Sequence, residues 1–275
     1  MKTPEPILVA ELFPSLLDGL ICLLESLSED EWDYPTACTP WSVKDVCVHL
    51  LGGDLNNLSW KRDGFSVFPP IESWDHLVRL LNEKNQLWVR ATRHFSPRLI
   101  IDLLRFSGDK VTTYFQSLDP FEMGVPVAWV SSEPARVWLD LAREYTERWH
   151  HQQHIRDAVN KPGFKESKYL SPILDAFILA LPRTFEVIPA KPGTSLQIQI
   201  TGNVDRNWIL LKESRQWMLY EGSEGEHEAS IILEDDLVWR IFTKGILKDQ
   251  ARKHVVIKGN PELGERILET VSIIA

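Results

Sequence analysis

Glu147, His150, His151 and His154 lie within two turns of any helix that spans Arg143 to Asp157, and that stretch holds three of the chain's eight histidines. Imidazole nitrogens and carboxylate oxygens at this density are the usual donors for a divalent metal. At about 100° per residue, Glu147, His151 and His154 project into one narrow sector of the helix, with His150 at its edge. Glu147 and His151 are spaced i, i+4, and so are His150 and His154. Pairs with this spacing also occur as solvated neighbours on ordinary helices, so the spacing alone does not choose between them. A metal site needs a donor from another element, and His49, on a separate amphipathic segment, can supply it across a bundle core. Two imidazoles and one carboxylate then leave a position open for water or substrate.

The elements that must position these groups follow from the periodicity. Leu8, Leu12, Leu16, Leu17, Leu20, Leu23 and Leu24 recur at helical intervals and predict a first helix over residues 8–27, with Pro14 in its opening turns. Ser42-Val-Lys-Asp45 reads as a capping box opening a second helix toward Asn57, with Asp45 as the helix-start carboxylate. Trp41 reads as a wedge between helices, and Gly52 and Gly53 as points of close packing. Ser73 opens a third helix running to about His94, and Ser96-Pro97 a fourth running to about Leu118. Glu133-Pro134 begins the helix that carries Glu147 and His151, which ends before Lys161-Pro-Gly163. Short connections between long helices predict an up-and-down four-helix bundle over residues 1–163.

Beyond Gly163 the texture changes. A helix is expected from Ser171 to about Val187, followed by strand-like runs at Leu196–Ile200, Trp208–Leu211, Gln216–Tyr220 and Ala229–Leu233. Asp235–Phe242 reads as a helix, His254–Ile257 as a last strand, and a terminal helix reaches about Ile273. Residues 164–275 are therefore expected to form a smaller α+β domain on an antiparallel sheet.

Composition narrows the function. A formal charge of −9 and the lack of any basic run longer than two residues argue against a nucleic-acid surface. No stretch approaches a membrane span of about 18 apolar residues, and the first residues lack a signal-peptide pattern, so a cytoplasmic protein is expected. Cys22, Cys38 and Cys47 form an odd set without C-x-x-C spacing, which suggests neither a disulfide framework nor a cysteine zinc site. Cys22 and Cys47 read as small buried hydrophobes. His76, His94, His227 and His254 stand alone and read as structural. Arg156 and Asp157 read as braces for the helix end, Asp157 with a partner of its own because the helix dipole does not favour it there.

The segments Thr39-Pro-Trp-Ser-Val-Lys-Asp-Val-Cys-Val-His49-Leu and Glu147-Arg-Trp-His-His151-Gln-Gln-His-Ile-Arg-Asp157 resemble the N-terminal metal-binding domain of mycothiol-dependent maleylpyruvate isomerases, a branch of the DinB-like bundles. The resemblance covers roughly residues 8–160. It implies that His49, Glu147 and His151 hold a divalent metal, usually zinc. His154 becomes a partner behind a ligand or an extra ligand, and His150 a flank of the site or a surface residue. The C-terminal part resembles, by pattern, the sterol-carrier-protein-like domain that follows in those isomerases.

The resemblance further implies activation of a low-molecular-weight thiol such as mycothiol, which adds to the cis double bond of maleylpyruvate and is eliminated after rotation to give fumarylpyruvate. The expected function is thus a metal-dependent isomerase or transferase that uses a small thiol on an electrophile. The alternative is a non-catalytic metal-binding protein whose second domain binds an apolar ligand or partner, and a third reading is a hydrolase using bound hydroxide. A carboxylate substrate calls for an arginine fork. Arg206, Arg215 and Arg240 are available in the second domain, although the run around Arg240 departs from the family's T-G-R pattern. The sequence assigns no catalytic residue, no substrate-binding residue and no oligomeric state.

Overall fold

The computed structural model describes residues 1–273 apart from Ser66 and Phe68. The apolar periodicity of the first part resolves into α1 (Phe13–Glu25), α2 (Val43–Asn56), α3 (Trp74–Thr92), α4 (Pro97–Gln116) and α5 (Val137–Ala158). Further along come α6 (Ser167–Ile178), α7 (Leu181–Phe185), α8 (Asp235–Phe242), α9 (Lys248–Ala251) and α10 (Pro261–Glu265). The strands are β1 (Ser195–Thr201), β2 (Arg206–Lys212), β3 (Trp217–Glu221), β4 (Ala229–Glu234) and β5 (Val256–Gly259). Contacts group the chain into two units. One comprises Val9–Asp119 with Glu147–Phe164, and the other Met1–Leu8, Pro120–Thr146 and residues 165–273.

In the helical unit, α2 packs on α3 and α4, and α1 on α4. Leu20, Leu23 and Leu24 of α1, Val46, Leu50 and Leu51 of α2, Ile100 and Leu104 of α4, and Ile155 of α5 form a continuous buried core. Helix α1 is shorter than the expected 8–27, because a 3-10 turn over Ala10–Leu12 precedes it and Pro14 takes a first-turn position where its missing N–H costs nothing. Cys22 is exposed rather than buried, since it falls outside the sector defined by Leu16, Leu20, Leu23 and Leu24. Cys47 is buried as expected. A Cβ on Gly52 would meet the Trp88 indole at 2.7 Å, so close packing holds there, whereas Gly53 faces open space. Helix α5 begins at Val137, later than the expected Glu133.

The second unit carries a five-stranded sheet of order β3-β2-β1-β4-β5. Its pairings are antiparallel except β1 with β4, which run parallel because the chain leaves β1 through the β2–β3 hairpin and returns on the other side. The expected antiparallel sheet is thus a mixed one. Leu196, Ile198 and Ile200 alternate inward on β1, and α8 packs over β1, β4 and α6. The helix expected from Ser171 to Val187 is two helices. Pro182 lies in the first turn of α7 and cannot continue the hydrogen bonding of α6. His254 closes a 3-10 turn ahead of β5 instead of starting the strand. The terminal helix stops at Glu269, where Thr270 turns extended and Ser272 bonds to Phe242 and Phe177 carbonyls in place of helical partners. Among the described residues no helix is long and apolar enough to cross a membrane.

Gly259 ends β5 at φ +79°, and a Cβ there would stand 2.3 Å from the Glu228 carbonyl oxygen, which accepts the Asn260 N–H. Left-handed backbone costs a non-glycine residue about 1–2 kcal/mol before any clash is counted. Gly259→Ala is therefore expected to destabilise the protein by about 2 kcal/mol, read as a lowered denaturant midpoint.

Candidate metal centre

Helix α2 is fixed at its start by a full capping box. Ser42 Oγ accepts from the Asp45 N–H, and the Asp45 carboxylate accepts from the Ser42 N–H, each at 3.3 Å. Arg93 grips the same carboxylate at 3.0 Å, tying α2 to the end of α3. Trp41 donates to Gln86 of α3 at 3.2 Å and lies 4.9 Å from the His49 ring, the expected wedge. These contacts set the azimuth at which His49 leaves α2.

The second half of α5 is anchored by groups that alternate with the candidate donors. Trp149 is fully buried and donates to the Phe164 carbonyl at 2.8 Å. Arg148 pairs with Asp54 of α2 at 2.7 Å, Ser107 of α4 donates to the same carboxylate at 2.9 Å, and the guanidinium stands 5.2 Å from the Phe115 ring. Arg156 donates to the Lys161 and Gly19 carbonyls, bracing the helix end as expected, while Asp157 is exposed.

Between these anchors the structure brings His49, Glu147 and His151 together. His49 Nε2 and His151 Nε2 each lie 3.2 Å from Glu147 Oε1, and the two rings meet edge-on at 4.7 Å between centroids. The Glu147 side chain stays 35 % exposed, so the cluster opens to solvent on the carboxylate side. Burial raises the Glu147 carboxyl, but the charge and hydrogen bond of His151 and the hydrogen bond of His49 outweigh it and hold the group well below the usual carboxylate range. Burial and the neighbouring His150 push His151 down to about 3 against the pull of Glu147. A carboxylate and a neutral imidazole are the protonation states that a metal requires of its ligands.

The donor set can be tested against an ion. Tetrahedral bonds of about 2.0–2.1 Å place neighbouring N and O donors about 3.3 Å apart, and two such edges are already formed at 3.2 Å. All three donor atoms lie within 4.8 Å of one another, a spacing that suits a divalent cation.

His154 is buried, and its Nδ1 lies 2.9 Å from Cys38 Sγ, which in turn is 3.7 Å from His151 Nδ1. His150, expected at the flank or the surface, is buried with its ring 4.1 Å from that of His151. Sequence reasoning set Cys38 aside, because no C-x-x-C spacing accompanies it. A signal was nonetheless present, since Cys38 immediately precedes the Thr39-Pro-Trp41 turn that leads into the His49 helix. Burial and the Glu147 charge push its thiol up to about 12. In the other unit, Arg206 pairs with Asp175 at 3.3 Å, Arg240 with Asp236 at 3.0 Å, and Arg215 is exposed.

Comparison with known proteins places this geometry in context. The profile of the mycothiol maleylpyruvate isomerase N-terminal domain matches residues 15–156, which include all three donors. A crystal structure described as the mycothiol-dependent maleylpyruvate isomerase, carrying one histidine-to-alanine substitution, superposes with a TM-score of 0.57 at 13% identity, covering 94% of this chain and 96% of that one. The unsubstituted enzyme's structure superposes at 0.54 and 13%, covering 88% and 91%. At this identity the superpositions speak to the fold. A search of curated proteins finds no match.

Proposed function

The chain belongs to the family of the mycothiol maleylpyruvate isomerase N-terminal domain, and from that membership we propose that it is an enzyme in which His49, Glu147 and His151 hold a divalent cation and a small thiol is activated toward an electrophilic small molecule. The observation that carries the reading is the pair of 3.2 Å donor contacts converging on Glu147 Oε1, at the mouth of a cluster that opens to solvent. Two neutral imidazoles and one carboxylate leave a dication with net positive charge and an open position, and zinc suits this set. When bound, such an ion lowers the pKa of a coordinated thiol, so that thiolate is available near neutral pH.

The chain's own residues supply the rest. His151 is buried and kept neutral by that burial, the His49 ring is held between Trp41 and His151, and Glu147 contributes the one negative charge together with the solvent-facing side. Trp41 packs against the His49 ring, and Cys38 stands at the Nδ1 side of His151. The solved relatives are described as a mycothiol-dependent maleylpyruvate isomerase. For this chain the corresponding reaction is addition of the thiolate sulfur to one carbon of a cis alkene conjugated to carbonyls, rotation about the resulting single bond, and expulsion of the thiolate to give the trans isomer. Atoms and electrons balance without an oxidant or reductant. Residues 1–163 act in this reading as the metal-binding bundle and residues 164–275 as a sterol-carrier-like domain completing the enzyme.

The test is turnover by metal-stripped and metal-reloaded protein on maleylpyruvate and other electrophiles, with a panel of low-molecular-weight thiols including mycothiol. Activity that needs both the ion and an added thiol is expected. Turnover that persists with no thiol present would replace this reading with hydrolysis.

A further inference from the structure

We propose that Cys38 Sγ, His151 Nδ1 and His154 Nδ1 form a second, sulfur-bearing position for a thiophilic divalent cation, at the other nitrogen of the ring that His151 offers to His49 and Glu147. The three donor atoms lie within 4.8 Å of one another. Metal–sulfur and metal–nitrogen bonds of about 2.3 and 2.0–2.1 Å set a tetrahedral S···N edge of about 3.6 Å, and Cys38 Sγ stands 3.7 Å from His151 Nδ1. The 2.9 Å contact with His154 Nδ1 is a hydrogen-bond distance shorter than that edge, so taking up an ion requires the sulfur and the ring to part by about 0.7 Å.

Two further features suit this position. A metal-ligating histidine characteristically donates its other N–H to a carboxylate, which fixes the tautomer and strengthens the ligand. With an ion on Nδ1, His151 Nε2 keeps its proton and already faces Glu147 Oε1 at 3.2 Å. Glu147 therefore accepts the His151 Nε2 proton when an ion sits on Nδ1 and is itself a ligand when the ion sits on Nε2, so this ring serves the two positions in alternation. Cys38 is also held in place: Thr36 Oγ1 accepts from its N–H, its carbonyl accepts from the Trp41 N–H, and the strand-like bridge of Pro35 with Ser42 closes the turn.

The two positions differ in hardness. His49, Glu147 and His151 present nitrogen and oxygen, whereas Cys38, His151 and His154 present sulfur and nitrogen, which favours soft ions. As the sulfur–metal bond forms, the Cys38 thiol proton leaves to solvent, one per ion bound. The proposal shares His151 with the thiol-activating reading but does not need His49.

The test is titration of the metal-stripped full chain with cadmium, monitored by the thiolate-to-cadmium charge-transfer band in the near ultraviolet. The wild type and His49→Ala are expected to develop the band with one equivalent of cadmium. Cys38→Ser and Cys38→Ala, which keep Cys22 and Cys47 as internal controls, are expected to lack it, and His154→Ala to require at least roughly 10-fold more cadmium. A band that persists in both Cys38 variants, or that is missing from the wild type, overturns the proposal. Zinc retained by His49→Ala and Glu147→Ala proteins that also carry Cys38→Ser would instead count against the thiol-activating reading, so the two failures are distinguishable.

Discussion

On a Cys38→Ser background, dialysed His49→Ala protein is expected to bind zinc at least roughly 100-fold more weakly than its parent and to lose thiol-dependent turnover with it. Changes that merely remove a hydrogen bond behind a ligand already cost about 10–100-fold in affinity, and His49 supplies one of three donors. Glu147→Ala should do at least as much. It removes the only charge in the triad and the oxygen on which both 3.2 Å contacts converge. Glu147→Gln separates these contributions, since it keeps the shape but withdraws the negative charge that offsets a dication. The measurement is metal content by elemental analysis together with calorimetric zinc titration, with His76→Ala as a control, because His76 lies in the first turn of α3 away from the cluster. Full zinc occupancy in both alanine variants on the Cys38→Ser background would remove the site.

Asp54→Ala is expected to cost about 3–5 kcal/mol of stability. Asp54 and Arg148 are both largely buried, meet at 2.7 Å across α2 and α5, and Ser107 donates to the same carboxylate from α4. Removing the acid leaves a guanidinium inside the bundle with its main ion-pair contact gone. That penalty exceeds what the intact pair contributes, because burying an uncompensated charge is the expensive state. Replacing both partners with apolar residues, Asp54→Leu with Arg148→Met, should therefore cost less than Asp54→Ala alone. Denaturant midpoints at constant slope report both values. Since Arg148 adjoins Glu147 on α5, the single variant should also weaken metal binding, whereas a stability loss near zero would show that the pair does not brace the donors.

The site was legible in the sequence wherever the signal was local. The i, i+4 spacing of Glu147 and His151 fixes their common face before any fold is known, and the Ser42–Asp45 capping box sets the phase of α2 and so the direction of His49. What the sequence withheld depends on tertiary proximity. Cys38 lies more than a hundred positions from His154 and reaches it only because the Tyr34–Val43 turn folds back against α5. Cys22 shows the converse error. Its apolar neighbours in the sequence suggested burial, but a helix buries a sector and not a stretch. In the α+β unit the alternation of β1 fixed which residues point inward, while the parallel pairing of β1 with β4 depends on the route taken by the β2–β3 hairpin and leaves no trace in either strand's composition.

The measurement that bears most directly on the central claim is X-ray absorption at the metal edge of zinc-loaded Cys38→Ser protein, with and without an added small thiol. That background removes the only protein sulfur that the described residues bring to the cluster. Without thiol, the first shell is expected to hold nitrogen and oxygen alone, at about 2.0–2.2 Å. On addition of thiol, one sulfur at about 2.3 Å should enter. A first shell that stays free of sulfur at saturating thiol, whatever thiol is used, would contradict thiol activation at His49, Glu147 and His151.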